Sequence, residues 1–189
     1  WTNGAIELLP TTSSFSGAFS ISKNNSTTYI GGFDDDDAVI WIDGTRTVLP
    51  LLDGFQRGVV SDLFILNNNV YAVGRQSKGN DTNPVLWING IPNQLSSKEG
   101  IANSVFVAGE DVYVSGQISN SISRLPVYWI NGGEPIILNN GLGEANDIAV
   151  VDNDIYVAGA FAGQAVVWIN GEPTYLGAGR ATAIVITEK

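Results

Sequence analysis

Apolar residues in this chain gather in short runs separated by clusters of Asn, Asp, Gly and Ser, and no segment holds the 3.6-residue period of a helix over three turns. The clearest unit begins with Ala145-Asn146-Asp147-Ile148-Ala149-Val150-Val151, a segment here called a. Asp152-Asn153-Asp154 supplies turn chemistry, since Asp and Asn tolerate left-handed backbone and bond their own neighbours. Ile155-Tyr156-Val157-Ala158-Gly159 (segment b) is rich in β-branched and aromatic residues, as strands are. A loop leads to Ala165-Val166-Val167-Trp168-Ile169 (segment c), Asn170-Gly171 marks a tight hairpin turn, and Pro173-Thr174-Tyr175-Leu176 (segment d) follows. Four strands joined by turns are the expectation.

The unit recurs. Trp41-Ile42-Asp43-Gly44, Trp87-Ile88-Asn89-Gly90 and Trp129-Ile130-Asn131-Gly132 copy Trp168-Ile169-Asn170-Gly171, and Trp1-Thr2-Asn3-Gly4 is a worn fifth copy. A spacing of about 40 residues between them is the mark of a repeat architecture. Segment a returns at Ala18 to Ser22, Ser61 to Leu66, Ala102 to Ala108 and Ala181 to Thr187. Segment b returns at Thr28 to Gly32, Val70 to Gly74 and Val112 to Gly116. Segment d returns at Ala5 to Leu9, Thr47 to Leu51, Pro92 to Leu95 and Pro135 to Leu138. Four-stranded units of this length predict one all-β domain over residues 1–189, a β-propeller in which a ring of blades covers the faces that one blade leaves bare. The count of segments favours five blades, the last shared between Ala181 to Thr187 and Trp1 to Leu9, with its segment b before Trp1; four blades are the alternative.

Asp111-Val112-Tyr113-Val114-Ser115-Gly116, followed after a variable loop by Pro126-Val127-Tyr128-Trp129-Ile130-Asn131-Gly132, resembles the repeats of kelch-like and WD-like propeller proteins of bacterial cell surfaces and secretions. The chain departs from kelch repeats proper in closing segment b with a double glycine only at Gly31-Gly32, and it lacks the Gly-His and Trp-Asp signatures of WD40 repeats. The resemblance implies architecture and an exported location. It brings no catalytic residues with it.

Composition narrows the chemistry. The chain has 44% hydrophobic and 15% charged residues, enough to pack a core. It has no Cys and no His, which removes disulfides, thiol nucleophiles and the commonest general base and transition-metal ligand. Its formal net charge of −10, from 19 acidic and 9 basic residues, repels nucleic acid and anionic membrane surfaces. No apolar run approaches the length of a membrane span. The absence of Met and the start inside a repeat suggest a processed chain or a fragment, and richness in Asn, Ser, Thr and Gly suits an exported one.

Candidate sites follow from the propeller frame. The repeated Trp residues invite comparison with sugar-stacking platforms, but one large aromatic per blade inside an apolar strand is better suited to packing between blades. The a–b and c–d turns are short and regular, whereas the loops joining b to c and d to a vary, and variation on a rigid scaffold is where binding resides. That face nominates Phe33, Asp34, Asp35, Arg75, Gln117 and Phe161 for a glycan or protein ligand. Asp34, Asp35, Asp36 and Asp37 are oxygen-rich enough for calcium, yet consecutive residues cannot all point at one ion, so a solvated acidic loop is the competing reading. No other cofactor is expected. Asp62 and Asp147 occupy one position of segment a in two blades, near the mouth of a central channel. They join the ligand-binding nominations, and as paired carboxylates they are the one arrangement suggesting an enzyme, a glycoside hydrolase. The leading expectation is a non-catalytic exported binding or scaffold module, and the runner-up is a self-assembling protein completed by strand addition from other copies of itself.

Overall fold

The structure is a computed structural model that describes residues 8–187. All its regular elements are strands: Ser16–Asn24 (β1), Thr27–Asp34 (β2), Asp37–Ile42 (β3), Thr45–Val48 (β4), Arg57–Leu66 (β5), Asn69–Lys78 (β6), Asp81–Ile88 (β7), Ile91–Gln94 (β8), Gly100–Ala108 (β9), Asp111–Ser119 (β10), Arg124–Ile130 (β11), Ile136–Ile137 (β12), Gly143–Val151 (β13), Asp154–Phe161 (β14), Gln164–Ile169 (β15) and Glu172–Ala178 (β16). They form four consecutive antiparallel sheets of four strands, each built in chain order. Among the described residues no helix is long and apolar enough to cross a membrane.

The recurring Asn-Gly and Asp-Gly pairs do what their chemistry dictates. Asp43-Gly44, Asn89-Gly90, Asn131-Gly132 and Asn170-Gly171 all take positive φ, which a two-residue hairpin turn requires if its twist is to match the flanking strands. The side chain then performs a second task. The Oδ1 atoms of Asp43, Asn89, Asn131 and Asn170 accept from the backbone N–H of Thr28, Val70, Val112 and Ile155, at 2.8 to 2.9 Å. Each c–d turn is thereby pinned to the start of segment b in its own sheet.

Glycine at the end of segment b has an equally local cause. In every sheet the inner strand carries a bulge, skipping Phe19, Ser61, Asn103 or Asn146 in the pairing register. The bulge drives an inner-strand carbonyl toward Gly32, Gly74, Gly116 or Gly159, where a Cβ would collide with the carbonyl oxygen of Gly17, Val59, Ile101 or Glu144.

The core lies between the sheets. Trp87 packs with Ala38, Ile40 and Leu49 of the preceding sheet, Trp129 with Val73 and Leu86, and Trp168 with Tyr128 and Leu138. Trp41, Trp87, Trp129 and Trp168 are all buried, so they serve as packing wedges. The indole N–H groups of Trp41 and Trp87 donate to the carbonyls of Pro10 and Pro50, both at 2.7 Å, and that of Trp168 to Asn139 Oδ1 at 2.6 Å. Buried Trp129 Nε1 has no such partner.

Two expectations change. The expected fifth inner strand, Ala181 to Thr187, forms no ladder, because an inner strand pairs with the segment b of its own unit and this one has none among the described residues. It nevertheless lies where the next inner strand would lie. Asn146 Nδ2 donates to the Ala181 carbonyl at 2.8 Å, just as Asn103 Nδ2 donates to that of Ala145 at 2.9 Å. The other part of the expected shared unit, Trp1 to Leu9, falls almost wholly outside the described residues. Finally, the stretches expected as variable loops between segments b and c are strand for most of their length, whereas those between d and a stay mostly loop. β6 and β7 pair out to Lys78 and Asp81, and β10 and β11 out to Ser119 and Arg124.

Candidate functional site

Lengthened hairpins change what the variable side offers: stiff tips in place of free loops. Buried Gln76 on β6 accepts the Leu52 N–H through Oε1 at 3.1 Å. Asn83 on β7 donates through Nδ2 to the carbonyls of Ser96 and Lys98, at 3.3 and 3.2 Å. Polar side chains inside the hairpin therefore hold the d–a loops in place, and the surface between the tips is pre-formed.

That surface contains two adjoining cavities. The first, of about 260 Å³, lies between the second and third sheets and is lined by Arg75, Thr82, Glu99, Gln117, Ser119 and Arg124 among others. The second, of about 420 Å³, shares Gln117 and Arg124 and continues to Glu144, Phe161 and Arg180. Arg75, Gln117 and Phe161 are thus brought into one groove, as three loops of the sequence would not have revealed. Arg124, Glu99, Glu144 and Arg180 join them without having been nominated. Arg124 begins a strand directly across from Ser119, and only the pairing register places it beside Gln117.

The electrostatics of the groove are incomplete. Burial lowers the Arg75 guanidinium below its ordinary range, and among the described residues no carboxylate pairs with it. Arg124 is likewise without an ion pair among those residues, whereas Arg180 pairs with Glu144. Gln117 is 8% exposed, lines both cavities, and its amide makes no hydrogen bond among the described residues. Donors and an acceptor are held in place without partners.

A contrasting cluster lies on the inner strands, where a third cavity of about 380 Å³ is lined by Asp62, Ser104, Asp147 and Ile184 among others. Asp62 Oδ1 accepts from Ser20 Oγ at 2.7 Å and Leu63 N at 2.8 Å, and Oδ2 from Ser104 Oγ and Val105 N, both at 3.0 Å. Asp147 accepts from Ser104 Oγ at 2.7 Å, Ile148 N at 2.9 Å and Ile184 N at 2.8 Å. These contacts form a belt that crosses all four sheets. Ser104 has one hydroxyl hydrogen and two carboxylates within reach, so it donates to one of them at a time. Burial raises the Asp62 carboxyl above its ordinary range, against the bonds from Ser20, Val105, Ser104 and Leu63, which lower it. As a glycosidase pair the arrangement is poor, because the Ser104 oxygen fills the space in which a sugar's anomeric carbon would sit.

The acidic run does not assemble a cation cage. Asp34 is fully buried, accepting at Oδ2 from Thr12 N, Thr12 Oγ1 and Arg46 Nε at 2.8, 2.7 and 2.6 Å, and at Oδ1 from Ser13 N at 3.2 Å. Burial alone would raise this carboxyl, but the Thr12, Arg46 and Ser13 donors outweigh it and hold it at about 2. Arg46 Nη2 also binds Asp37 at 2.7 Å, while Asp35 takes φ 59 in the turn. Among the described residues no three acidic side chains gather as a metal site, so the calcium expectation for Asp34 to Asp37 is corrected: Arg46 supplies the positive charge. Phe33 stands apart from the groove, with ring centroids 5.1 Å from Phe15 and 5.8 Å from Phe19.

Comparison with known proteins adds little to this geometry. No family model matches the chain. No curated protein matches it either. Among solved structures it is similar to the crystal structure of the computationally designed Ika4 protein, with 19% identity over 87% of this chain and 98% of that chain and a TM-score of 0.45.

Proposed function

We propose that this chain is a non-catalytic binding module of an exported or cell-surface protein, a kelch-like propeller that recognises a glycan or protein through the side bearing the b–c hairpin tips. One observation carries the reading: Gln117, Arg75 and Arg124 are fixed by strand register around a pre-formed groove and have no partners there among the described residues. Their polar atoms open onto the groove, and polar groups converging on a concave surface are what a ligand site requires. Screening the purified chain and its Gln117→Ala variant on a broad glycan array tests it. Specific signals that weaken in the variant support the reading, and equal signals from both place binding elsewhere.

The five-bladed ring belongs to the same proposal. Ala181 to Thr187 would be the inner strand of a fifth unit, and Leu9-Pro10, which meets Trp41 as Leu49-Pro50 meets Trp87, would end its outer strand. A second reading, assembly by strand addition from another copy, is favoured by the uncovered first sheet. Ile21 is 70% exposed, while Leu63, Val105 and Ile148 at the same position of the next three sheets are 5%, 3% and 2% exposed. Native mass distinguishes the two: a dimer or polymer that dissociates in the Ile21→Lys variant favours assembly, and a monomer favours the self-contained module.

A further inference from the structure

The two sides of the molecule differ in charge. The a–b and c–d turns carry Asp43, Glu110, Asp111, Glu134, Asp152, Asp154 and Glu172, opposed among the described residues by Lys23 alone. The other side carries Arg57, Arg75, Lys78, Lys98, Arg124 and Arg180 interspersed with Asp34 to Asp37, Asp53, Asp81, Glu99 and Glu144, so the cations outside Lys23 gather there among carboxylates. On a chain of net charge −10 the first side repels an anionic ligand, and on the second it is the groove, with Arg75 and Arg124 outside any ion pair among the described residues, that offers one local positive charge.

The groove walls define the anion further. Arg75 and Arg124 are planar donors suited to gripping a carboxylate with two parallel bonds, and Gln117, which lines the same cavity, offers both a donor and an acceptor. Glu99 stands in the first cavity and Glu144 in the second, so a ligand with a carboxylate at every step, such as a run of acidic side chains, meets like charge. Hydroxyl groups do not: they donate to Glu99 and accept from Asn80, Thr82 and Ser119. At the far end Phe161 offers an apolar surface, the kind on which a sugar ring rests.

Building on the binding role proposed above, we infer that the groove takes a saccharide of the uronic-acid class, hydroxyl-rich and bearing an isolated carboxylate that sits between Arg75 and Arg124. The carboxylate replaces the missing counter-ion, and the hydroxyls engage Gln117 and Glu99.

Calorimetric titration of the intact chain with oligosaccharides of galacturonate, mannuronate and guluronate, and with glucuronate-containing oligosaccharides, tests the assignment. Each is paired with its carboxyl-reduced counterpart, which has the same shape without the charge. At least one acid form is expected to bind, to lose affinity about tenfold or more on carboxyl reduction, and to lose as much in Arg75→Ala or Arg124→Ala, the scale of a lost charge-assisted hydrogen bond. Arg124→Lys, which keeps the charge but not the fork, is expected to restore only part of the loss. Equal binding of acid and reduced forms overturns the carboxylate assignment while leaving the binding module intact, provided Gln117→Ala weakens both. Preference for a sulfated oligosaccharide or an acidic peptide assigns the groove to another anion and overturns the inference. No binding by any uronate overturns it as well, and a blank glycan array alongside removes the glycan reading beneath it.

Discussion

The belt through Asp62, Ser104 and Asp147 and the groove around Arg75, Gln117 and Arg124 are built of the same materials: polar side chains at fixed strand positions where successive sheets meet, all but the exposed Arg124 partly withdrawn from water. They differ in completeness. Every oxygen of Asp62 has donors from its own chain, contributed by three different sheets. In the groove, Arg75 and Gln117 are held just as firmly, by the Arg75 to Pro84 and Gln117 to Pro126 pairings, yet among the described residues their side chains have no ion pair or hydrogen bond. A satisfied polar cluster fixes the relation of one element to another, and an unsatisfied one is left for a molecule from outside. That contrast, more than cavity size, separates structure from site here.

The comparison can be broken most forcefully at the belt. Asp62→Ala strands the Leu63 and Val105 N–H groups and the hydroxyls of Ser20 and Ser104, and is expected to cost about 3 kcal/mol in urea unfolding. A loss below about 1 kcal/mol would mean that the belt is not a structural element.

Acid unfolding follows, and here two carboxylates of opposite tendency oppose each other. Each has four donor atoms within hydrogen-bond reach, but only Asp34 has a guanidinium among them. Its carboxyl is held at about 2, below the ordinary 3.8, so its stabilisation is present above pH 3.8 and lost as pH falls toward 2. Asp62 is raised, so its contribution is present in full below 3.8 and is lost as pH rises through its folded value. Asp34→Asn should therefore be harmful near neutrality and nearly silent near pH 2. Asp62→Asn should show the reverse trend, its relative cost falling as pH rises. Stability curves of the two variants against pH check both signs.

A smaller effect comes from donors inside the sheet interfaces. Trp87→Phe removes an indole bonded to the Pro50 carbonyl, and Trp129→Phe one without a partner. The first is expected to cost about 1 kcal/mol more than the second, measured by thermal unfolding. Smallest of all, Arg75→Ala and Arg124→Ala should leave stability within about 0.5 kcal/mol of the parent chain, since neither removes an ion pair, while abolishing most binding.

Much of the fold was legible in the sequence. The Trp-Ile-Asn-Gly copies located every c strand and its turn, because Asn-Gly has few alternatives to the turn it forms and a large apolar side chain just before it must be buried. The Asp62 and Asp147 register was legible for the same reason, as repeats align. The hairpin tips were not. Arg75-Gln76-Ser77-Lys78 and Asp81-Thr82-Asn83 read as loop because they are polar, yet Gln76 and Asn83 face inward and hold the d–a loops. Periodicity detects strands through apolar burial and misses a strand whose buried side is polar. Arg124 and Glu99 escaped notice because their proximity to Gln117 depends on how two hairpins lie against each other, a relation that no local pattern encodes. Asp34 misled in the opposite sense. Four adjacent acids suggested a cation, and the positive charge came from Arg46, two hairpin turns further on, on the far side of β3.

The most direct measurement is the footprint of a ligand from the array on the backbone amides of the labelled chain, recorded by NMR. The account requires shift changes at the tips around Arg75 to Thr82, Gln117 to Arg124 and Phe161 to Gln164, with the Asn-Gly turns and the belt unmoved. Changes concentrated at the Asn-Gly turns, or at Asp62, Ser104 and Asp147 with the tips silent, would contradict it.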